Sequence, residues 1–209
     1  MKVAIIPVTA FEQNCSLVWC PETMKGALID PGGDLDKLKK AVQQKQVIIE
    51  KILLTHAHID HAGAAADASK EFSAPIIGPH KGETMLVEMI EMQSQMAGIP
   101  GKKFTPDQWL EEGDKVSVGN IEFDVLFCPG HTPGHLVFHA PKHNIAFVGD
   151  VLFKGSIGRT DLPGGDTQTL IDSIKTKLWP LNDRVVTVSG HGPNSTIGHE
   201  KRTNPFLRA

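Results

Sequence analysis

Four potential metal ligands are crowded into six consecutive positions of this 209-residue chain: His56, His58, Asp60 and His61. The apolar residues 52–54 directly before them predict a buried strand, and the alanine-rich residues 62–71 after them predict a helix. In extended backbone the first two histidines point the same way. The start of the helix then reverses the chain, so that the aspartate and the third histidine reach a second point close to the first. The segment therefore predicts a strand-to-helix loop able to serve two neighbouring metal ions.

Three more candidate ligands occur in the same local context, each just after a predicted strand: His131, Asp150 and His191. The three strands are predicted over residues 121–127, 145–148 and 185–189. A glycine directly precedes each candidate, and glycine permits the close backbone approach that a crowded loop needs. Active sites collect in loops at strand ends. The pattern indicates that all seven side chains belong to one site.

Five histidines and two aspartates form a ligand set suited to zinc or another borderline divalent metal. A set made only of oxygen ligands would favour magnesium or calcium instead. Iron and manganese stay open as alternatives to zinc. Two dications facing two aspartates keep a net positive charge, which favours a bound hydroxide, and metal binding lowers the pKa of water to about 7. We therefore expect two divalent metal ions per chain and a hydrolytic reaction.

Strands and helices alternate along the chain without any break in composition, which indicates an α/β sandwich in one domain covering residues 1–209. The remaining strands are predicted at residues 3–6, 15–20, 26–29, 75–77, 115–118 and 136–139. A helix capped by Asp34 follows the third strand, with Leu35, Leu38 and Val42 on its apolar face. Further helices are predicted at residues 83–97 and 167–178, and a short one closes the chain.

Charge and hydropathy patterns exclude several classes of partner. The net charge is −3 and no basic stripe is present, so binding to nucleic acid is disfavoured. No stretch of the sequence approaches a membrane span, and no secretory signal is visible at the N-terminus. Three cysteines, an odd number without metal-ligand spacing, fit a reducing compartment. We expect a monomeric cytoplasmic protein whose partner is a small molecule.

These motifs resemble those of the metallo-β-lactamase superfamily, and the resemblance covers nearly the whole chain. It rests on four segments: His56-x-His58-x-Asp60-His61, His131-Thr132-Pro133-Gly134-His135, Gly149-Asp150 and Gly190-His191. The resemblance implies an αββα fold, in which two mixed β-sheets lie between helices. It also implies three ligands for each metal, namely His56, His58 and His131 for one, and Asp60, His61 and His191 for the other. Asp150 would bridge the two ions, and Asp60 and Asp150 would be the catalytic carboxylates.

Within that superfamily, residues 155–166 (Gly-Ser-Ile-Gly-Arg-Thr-Asp-Leu-Pro-Gly-Gly-Asp) are similar to the short, single-domain glyoxalase II group of bacteria. The similarity implies hydrolysis of the thioester S-lactoylglutathione to lactate and glutathione by a metal-bound hydroxide. Longer glyoxalase II enzymes add a helical domain that binds glutathione, and they place a tyrosine shortly after the last histidine ligand. This chain ends at Ala209 and has Gly192-Pro193-Asn194 where the tyrosine would be, so we expect weak recognition of the glutathione moiety.

Other functions compatible with the fold differ in testable ways. A persulfide dioxygenase shares the Gly-Arg-Thr-Asp segment at residues 158–161 but uses one iron ion, and a metal-dependent lactonase commonly uses a tyrosine, which this chain lacks. A secreted β-lactamase is disfavoured by the missing signal and by Asp150, where many zinc β-lactamases carry cysteine. A non-catalytic metal-binding module is the alternative from another class, and the complete ligand set argues against it.

Several other side chains have both a functional and a structural interpretation. Arg159 either binds a substrate carboxylate through a forked hydrogen bond or forms a surface ion pair. His135 is expected to have a structural role, and among the remaining histidines it is the first candidate for a hydrogen-bond partner behind a ligand. Cys128 is expected to be a small buried hydrophobe. Four methionines at helical spacing favour core packing over a wall of the substrate groove: Met85, Met89, Met92 and Met96.

Overall fold

Two mixed β-sheets form the centre of the protein, and the computed structural model of the chain describes residues 1–208. The first sheet contains five strands in chain order: β1 (Lys2–Val8), β2 (Gln13–Trp19), β3 (Lys25–Ile29), β4 (Ile48–Leu53) and β5 (Ile76–Ile77). The strands β1, β2 and β3 pair antiparallel, whereas β3, β4 and β5 pair parallel.

The second sheet is built from the C-terminal half of the chain. Its strands are β6 (Lys115–Val118), β7 (Ile121–Phe127), β8 (Leu136–Ala140), β9 (Ile145–Gly149), β12 (Val186–Ser189) and β13 (Ser195–Thr196). They lie in the order β13-β12-β9-β8-β7-β6, in which β9 and β12 pair parallel and the other neighbours pair antiparallel. A separate small hairpin, β10 (Leu152–Phe153) and β11 (Ser156–Ile157), follows β9.

Residues 1–208 contain seven α-helices, of which the first six lie between strands and the last follows β13: α1 (Leu35–Lys45), α2 (Ile59–Ala62), α3 (Ala65–Phe72), α4 (Thr84–Glu88), α5 (Ile90–Ala97), α6 (Thr167–Ser173) and α7 (Ile197–Thr203). Short 3-10 turns cover Lys81–Glu83 and Pro141–His143, and a π-helical turn at Ile174–Leu178 continues α6. Within residues 1–208, no helix combines the length and the apolar character needed to cross a membrane.

Alternating side chains of the central strands divide the interior into layers. In β3, Ala27 and Ile29 pack against residues of the second sheet such as Phe123. Leu28 lies between them in sequence and, because successive side chains of a strand point to opposite faces, packs on the other side with Leu38 of α1. The first sheet is therefore covered by the second sheet on one face and by helices on the other.

The second sheet is covered in the same way on its outer face. Val137 and Val148 of this sheet share a buried cluster with Leu170 of α6 and Ile197 of α7. Helix, sheet, sheet and helix thus follow one another through the molecule. The predicted αββα fold is confirmed.

The helices differ from the predicted ones at three points. Residues 62–71 were predicted as one helix, but the chain forms α2 and α3 with a break at residues 63–64. The predicted helix 83–97 is divided into α4 and α5 at Met89. Asp34 does precede α1, but its side chain makes no capping hydrogen bond, and its carboxylate Oδ2 accepts a hydrogen bond from Thr9 N at 2.9 Å instead. The short strands β10, β11 and β13 were not predicted.

The methionines of α4 and α5 do not form the core. Met85, Met92 and Met96 are 45%, 52% and 82% exposed, so the core-packing interpretation is wrong for these three. Cys128 is fully buried, as expected, and burial raises the pKa of its thiol.

Strand direction brings the predicted ligand loops to one edge of the sandwich. Both β7 and β9 pair antiparallel with β8, and β9 pairs parallel with β12, so β7, β9 and β12 run the same way. Their carboxyl ends precede His131, Asp150 and His191. The end of β4 joins them, since Leu136 N donates to Thr55 O at 2.8 Å. The chain thereby assembles four strand ends into one site.

Candidate metal centre

Three histidines from two loops form the first ligand group, defined as His56, His58 and His131. One ring nitrogen from each lies within 4.8 Å of those of the other two. His58 Nδ1 and His131 Nε2 are 3.0 Å apart. The group joins the loop after β4 to the loop after β7, and its nitrogen atoms are close enough to hold one ion.

The second ligand group consists of Asp60, His61 and His191, whose ligand atoms also lie within 4.8 Å of one another. His191 Nε2 is 3.0 Å from Asp60 Oδ2, and His61 Nε2 is 3.8 Å from the same oxygen. The first turn of α2 supplies two of these residues. As expected, the helix start directs Asp60 and His61 to a point different from that reached by His56 and His58.

Asp150 lies between the two groups. Its Oδ2 is 3.7 Å from His131 Nε2 and 3.7 Å from His191 Nε2. Its Oδ1 is 3.3 Å from His61 Nε2. One carboxylate therefore contacts both ligand groups, which is the geometry that a bridging ligand requires.

Several buried polar atoms at this point have no hydrogen-bond partner among residues 1–208: His56 Nε2, His61 Nε2 and Asp150 Oδ1. An unpaired buried polar atom costs about 1–3 kcal/mol, so such a cluster calls for a partner. The lone pairs of the two imidazole nitrogens and the carboxylate oxygen are suitable ligands for a borderline divalent metal. The residues present fit a metal centre.

Hydrogen bonds behind the histidines fix which ring nitrogen carries the proton. His131 Nδ1 donates to Arg159 O at 2.7 Å, and His191 Nδ1 donates to Phe11 O at 3.2 Å, because a carbonyl oxygen can only accept. In both rings the Nε2 atom faces the centre. The protein thus presents these imidazoles with the nitrogen that a metal needs.

Asp30 organises the other two buried histidines, and the sequence interpretation missed it. Its Oδ2 accepts from His61 Nδ1 at 2.9 Å and from the hydroxyl of Thr55 at 2.6 Å. Because that hydroxyl donates its proton to Asp30, it accepts from His56 Nδ1, 3.0 Å away. The available signal was its position directly after a predicted strand, the same context as Asp150.

His135 also supports the centre from behind. It is fully buried, and its Nε2 accepts a hydrogen bond from Asp150 N at 3.1 Å. Its ring stacks on that of His56 with the centroids 4.5 Å apart. Glycine is required nearby, because a Cβ atom added at Gly190 would overlap Asp150 and His61.

The electrostatics of the metal-free centre favour the metal-binding form of some ligands and oppose that of others. Although burial disfavours protonation of His61 and His191, the nearby carboxylates raise the pKa of both imidazoles. Burial, helped by the neighbouring histidines, lowers the pKa of His56 well below its ordinary value. Burial and the proximity of His131 lower the pKa of His58 to about 4. Although burial opposes ionisation of Asp150, the surrounding histidines, led by His61, lower the pKa of its carboxyl well below the usual range. Neutral imidazole and ionised carboxylate are the ligand forms for divalent metals.

The centre opens into a cavity of about 600 Å³. Its wall combines the exposed face of the ligands with apolar side chains from three separate segments: Phe11, Ile59, Phe153, Ile157 and Leu162. Gln93, Ser156 and Arg159 add polar groups. Sequence reasoning did not identify the apolar residues, since nothing in their local pattern distinguishes them from core or surface residues.

Arg159 lines this cavity, but its guanidinium group is already paired. Nε and Nη2 donate to the two carboxylate oxygens of Asp161 at 2.8 and 2.7 Å. The ion pair is exposed, with 61% of the Arg159 side chain accessible. Of the two interpretations of Arg159, the structure contains the surface ion pair, and the Arg159 side chain also borders the cavity.

Comparison with known proteins agrees with this geometry. Residues 8–191 match the family model of the metallo-beta-lactamase superfamily. The hydroxyacylglutathione hydrolase GloC of Haemophilus influenzae is 46% identical over 211 aligned residues, covering 100% of this chain and 99% of that protein.

Two solved structures are similar along the whole chain. The BLEG-1 B3 metallo-beta-lactamase superimposes with a TM-score of 0.92 at 36% identity, covering 100% of both chains. TTHA1623, solved in a di-iron-bound form, gives a TM-score of 0.89 at 39% identity, covering 98% of this chain and 100% of that one.

Proposed function

The chain belongs to the metallo-beta-lactamase superfamily and is a metal-dependent hydrolase, and we propose that it is a dinuclear thioesterase that converts S-lactoylglutathione to lactate and glutathione. The observation that carries the proposal is the contact of one carboxylate, Asp150, with histidines of both ligand groups. The 46% identity to a hydroxyacylglutathione hydrolase supports the choice of substrate.

In this proposal each ligand group holds one divalent ion and Asp150 bridges the two. Zinc is our first choice of metal, because five imidazoles dominate the set, and iron and manganese are the alternatives. The di-iron form of a relative that is 39% identical supports the count of two and keeps iron in consideration. When bound, the ions would lower the pKa of water to about 7 and polarise the thioester carbonyl.

The residues of the chain itself place the substrate beside the centre. Asp60 and Asp150 both line the cavity, so both carboxylates lie next to a bound thioester. Phe153 and Ile157 offer an apolar surface in the same cavity, which can shelter the acyl group and exclude water. We assign the catalytic roles to the two aspartates and the positioning of the acyl group to the apolar residues.

Recognition of the glutathione part is expected to be weak. Among the described residues that line the cavity, Arg159 is the one lysine or arginine, and Asp161 neutralises it. A substrate carboxylate would have to compete with that ion pair. Contacts to the part of a substrate that lies far from the reacting bond normally support turnover as well as affinity. We therefore expect both kcat and the affinity for S-lactoylglutathione to be modest.

The test compares S-lactoylglutathione with a truncated thioester that carries the same lactoyl group. Metal-loaded protein should hydrolyse both with similar kcat/KM, and the same preparation treated with a chelator should hydrolyse neither. Inactivity on both thioesters with two metals bound would overturn the proposed function. A large preference for the full glutathione conjugate would overturn the weak-recognition part alone.

Hydrolysis of β-lactams is a second candidate, and the similarity to the BLEG-1 structure favours it. The strained amide of a β-lactam needs the same nucleophile as a thioester. A chromogenic cephalosporin should therefore be assayed on the same preparation. If its kcat/KM exceeds that of the thioesters, the protein is better described as a β-lactamase than as a thioesterase.

A further inference from the structure

Glu83 is a fully buried acidic residue that the proposed function does not use. It ends the 3-10 turn Lys81–Glu83, directly before α4, and belongs to neither ligand group. Among residues 1–208, no lysine, arginine or histidine forms an ion pair with it. Burying a carboxylate without a cation costs free energy, so the hydrogen bonds that compensate for this cost indicate the role of the side chain.

The two oxygens of this carboxylate bind two different ligand loops. Oε2 accepts from Ala57 N at 2.9 Å, and Oε1 accepts from Gly134 N at 2.6 Å. Ala57 lies between His56 and His58, and Gly134 lies three residues after His131. One side chain therefore ties together the backbones that carry all three histidines of the first ligand group.

Close packing holds the turn that carries Glu83 against the loop that follows His131. A Cβ atom added at Gly134 would lie 2.6 Å from Glu83 N and 2.7 Å from Glu83 Cγ. One added at Gly82 would lie 2.8 Å from Pro133 O. The turn and the loop can approach because both positions are glycine. The bond between Leu136 N and Thr55 O joins the same loops at the strand ends, so Glu83 adds a second connection beyond them.

We propose that Glu83 is a positioning residue that sets the spacing of His58 and His131 and thereby the metal affinity of the first ligand group. The inference rests on the ligand roles in the proposed function. Other hydrogen bonds hold the second ligand group: His61 Nδ1 donates to Asp30 Oδ2, and His191 Nδ1 donates to Phe11 O. Loss of the Glu83 carboxylate should therefore weaken one metal and spare the other.

Glu83→Gln is the direct test, since it keeps the shape but turns an N–H donor of the new amide toward a backbone N–H. Stepwise affinities for cobalt(II) are measured by chelator competition and from the absorption of the bound ion. We expect one affinity to fall about 10- to 100-fold, the range found for groups that orient metal ligands, and the other to change less than about two-fold. The metal-free variant should melt at a lower temperature, because one buried backbone N–H loses its acceptor, so both affinities are measured well below that temperature.

Glu50→Gln is the matched control, because Glu50 Oε2 also accepts a backbone N–H, from Gly119 at 3.0 Å, away from the centre. It should leave both affinities unchanged.

Gly134→Ala disturbs the same contact from the side of the loop that follows His131, and it should likewise weaken one metal and spare the other. This second variant keeps the inference testable if Glu83→Gln fails to fold. Unchanged affinities, or an equal loss of both metals, would overturn the inference. Metal affinity does not depend on turnover, so a protein that binds two ions but hydrolyses no thioester would refute the proposed function while leaving this test intact.

Discussion

Asp150 is the residue on which the proposed centre depends most, because it contacts histidines of both ligand groups. Asp150→Asn keeps its size but removes the charge and half of its acceptor capacity. We expect kcat to fall more than about 100-fold, beyond the 10- to 100-fold typical of residues that only orient a ligand. Steady-state kinetics at saturating metal would measure the loss. Asp107→Asn, at a carboxylate that bonds Ile76 N away from the centre, should keep normal rates. A dinuclear Asp150→Asn variant with unaltered turnover would refute the bridging role.

The pair of Arg159 and Asp161 gives a second prediction at the residue scale. Asp161→Ala frees the guanidinium group beside the cavity for a substrate carboxylate. An exposed ion pair contributes little free energy, so KM for S-lactoylglutathione should fall by no more than about five-fold. KM for a neutral truncated thioester should not change. Asp183→Ala, which removes the partner of Lys201 outside the cavity, is the control. Equal KM changes for both substrates would argue against a role of Arg159 in binding.

At the scale of elements, the segment from β4 to α3 shows where local sequence signals fail. Alanine-rich composition predicted a continuous helix, but Gly63 packs so closely on Gly32 that an added Cβ would lie 2.6 Å from Gly32 O. Ala64 N then donates to Pro31 O at 2.9 Å. Helix propensity is a local preference of the sequence. The break between α2 and α3, in contrast, depends on contacts with a loop about thirty residues earlier in the chain. The ligand positions were predictable nevertheless, because they depend on the strand end and on the first helical turn.

Gln93 of α5 holds the same segment from outside and gives the prediction for this scale. Its amide accepts from Ile59 N at 3.0 Å and donates to Ala57 O at 3.1 Å. Gln93→Leu leaves these two groups without their partner, which should lower the free energy of unfolding by about 1–3 kcal/mol. Denaturant unfolding of the metal-free protein would measure the change. Gln168→Leu, on the exposed face of α6, should stay within about 0.5 kcal/mol of the unaltered protein. An equal effect of both variants would show that the Gln93 bonds contribute nothing specific.

For the whole molecule, the sequence predicted the layers better than the cavity. The alternation of strands and helices predicted an α/β sandwich, and the family resemblance implied the αββα order of its layers. The strand β3 fits that order, because its apolar side chains are buried on both faces. The seven proposed ligands follow four strand ends, so one topological rule brought them together. The cavity wall obeys no such rule. Phe11 and Phe153 come from distant segments and meet only in the folded chain, so no local pattern could reveal them. The single domain and the monomeric state stay predictions.

Metal removal gives the prediction that concerns the whole molecule. The buried, unpaired atoms of His56, His61 and Asp150 gain partners only when metal is bound, so binding should stabilise the folded chain over the unfolded one. At a free metal concentration 100 times Kd, one site contributes about 2.7 kcal/mol. For a chain of this length that corresponds to a rise in Tm of about 5–10 °C per site. Scanning calorimetry of loaded and chelated protein, combined with elemental analysis, should show this rise together with close to two metals per chain. One tightly held iron ion under metal-replete conditions would contradict the dinuclear centre and favour a mononuclear persulfide dioxygenase.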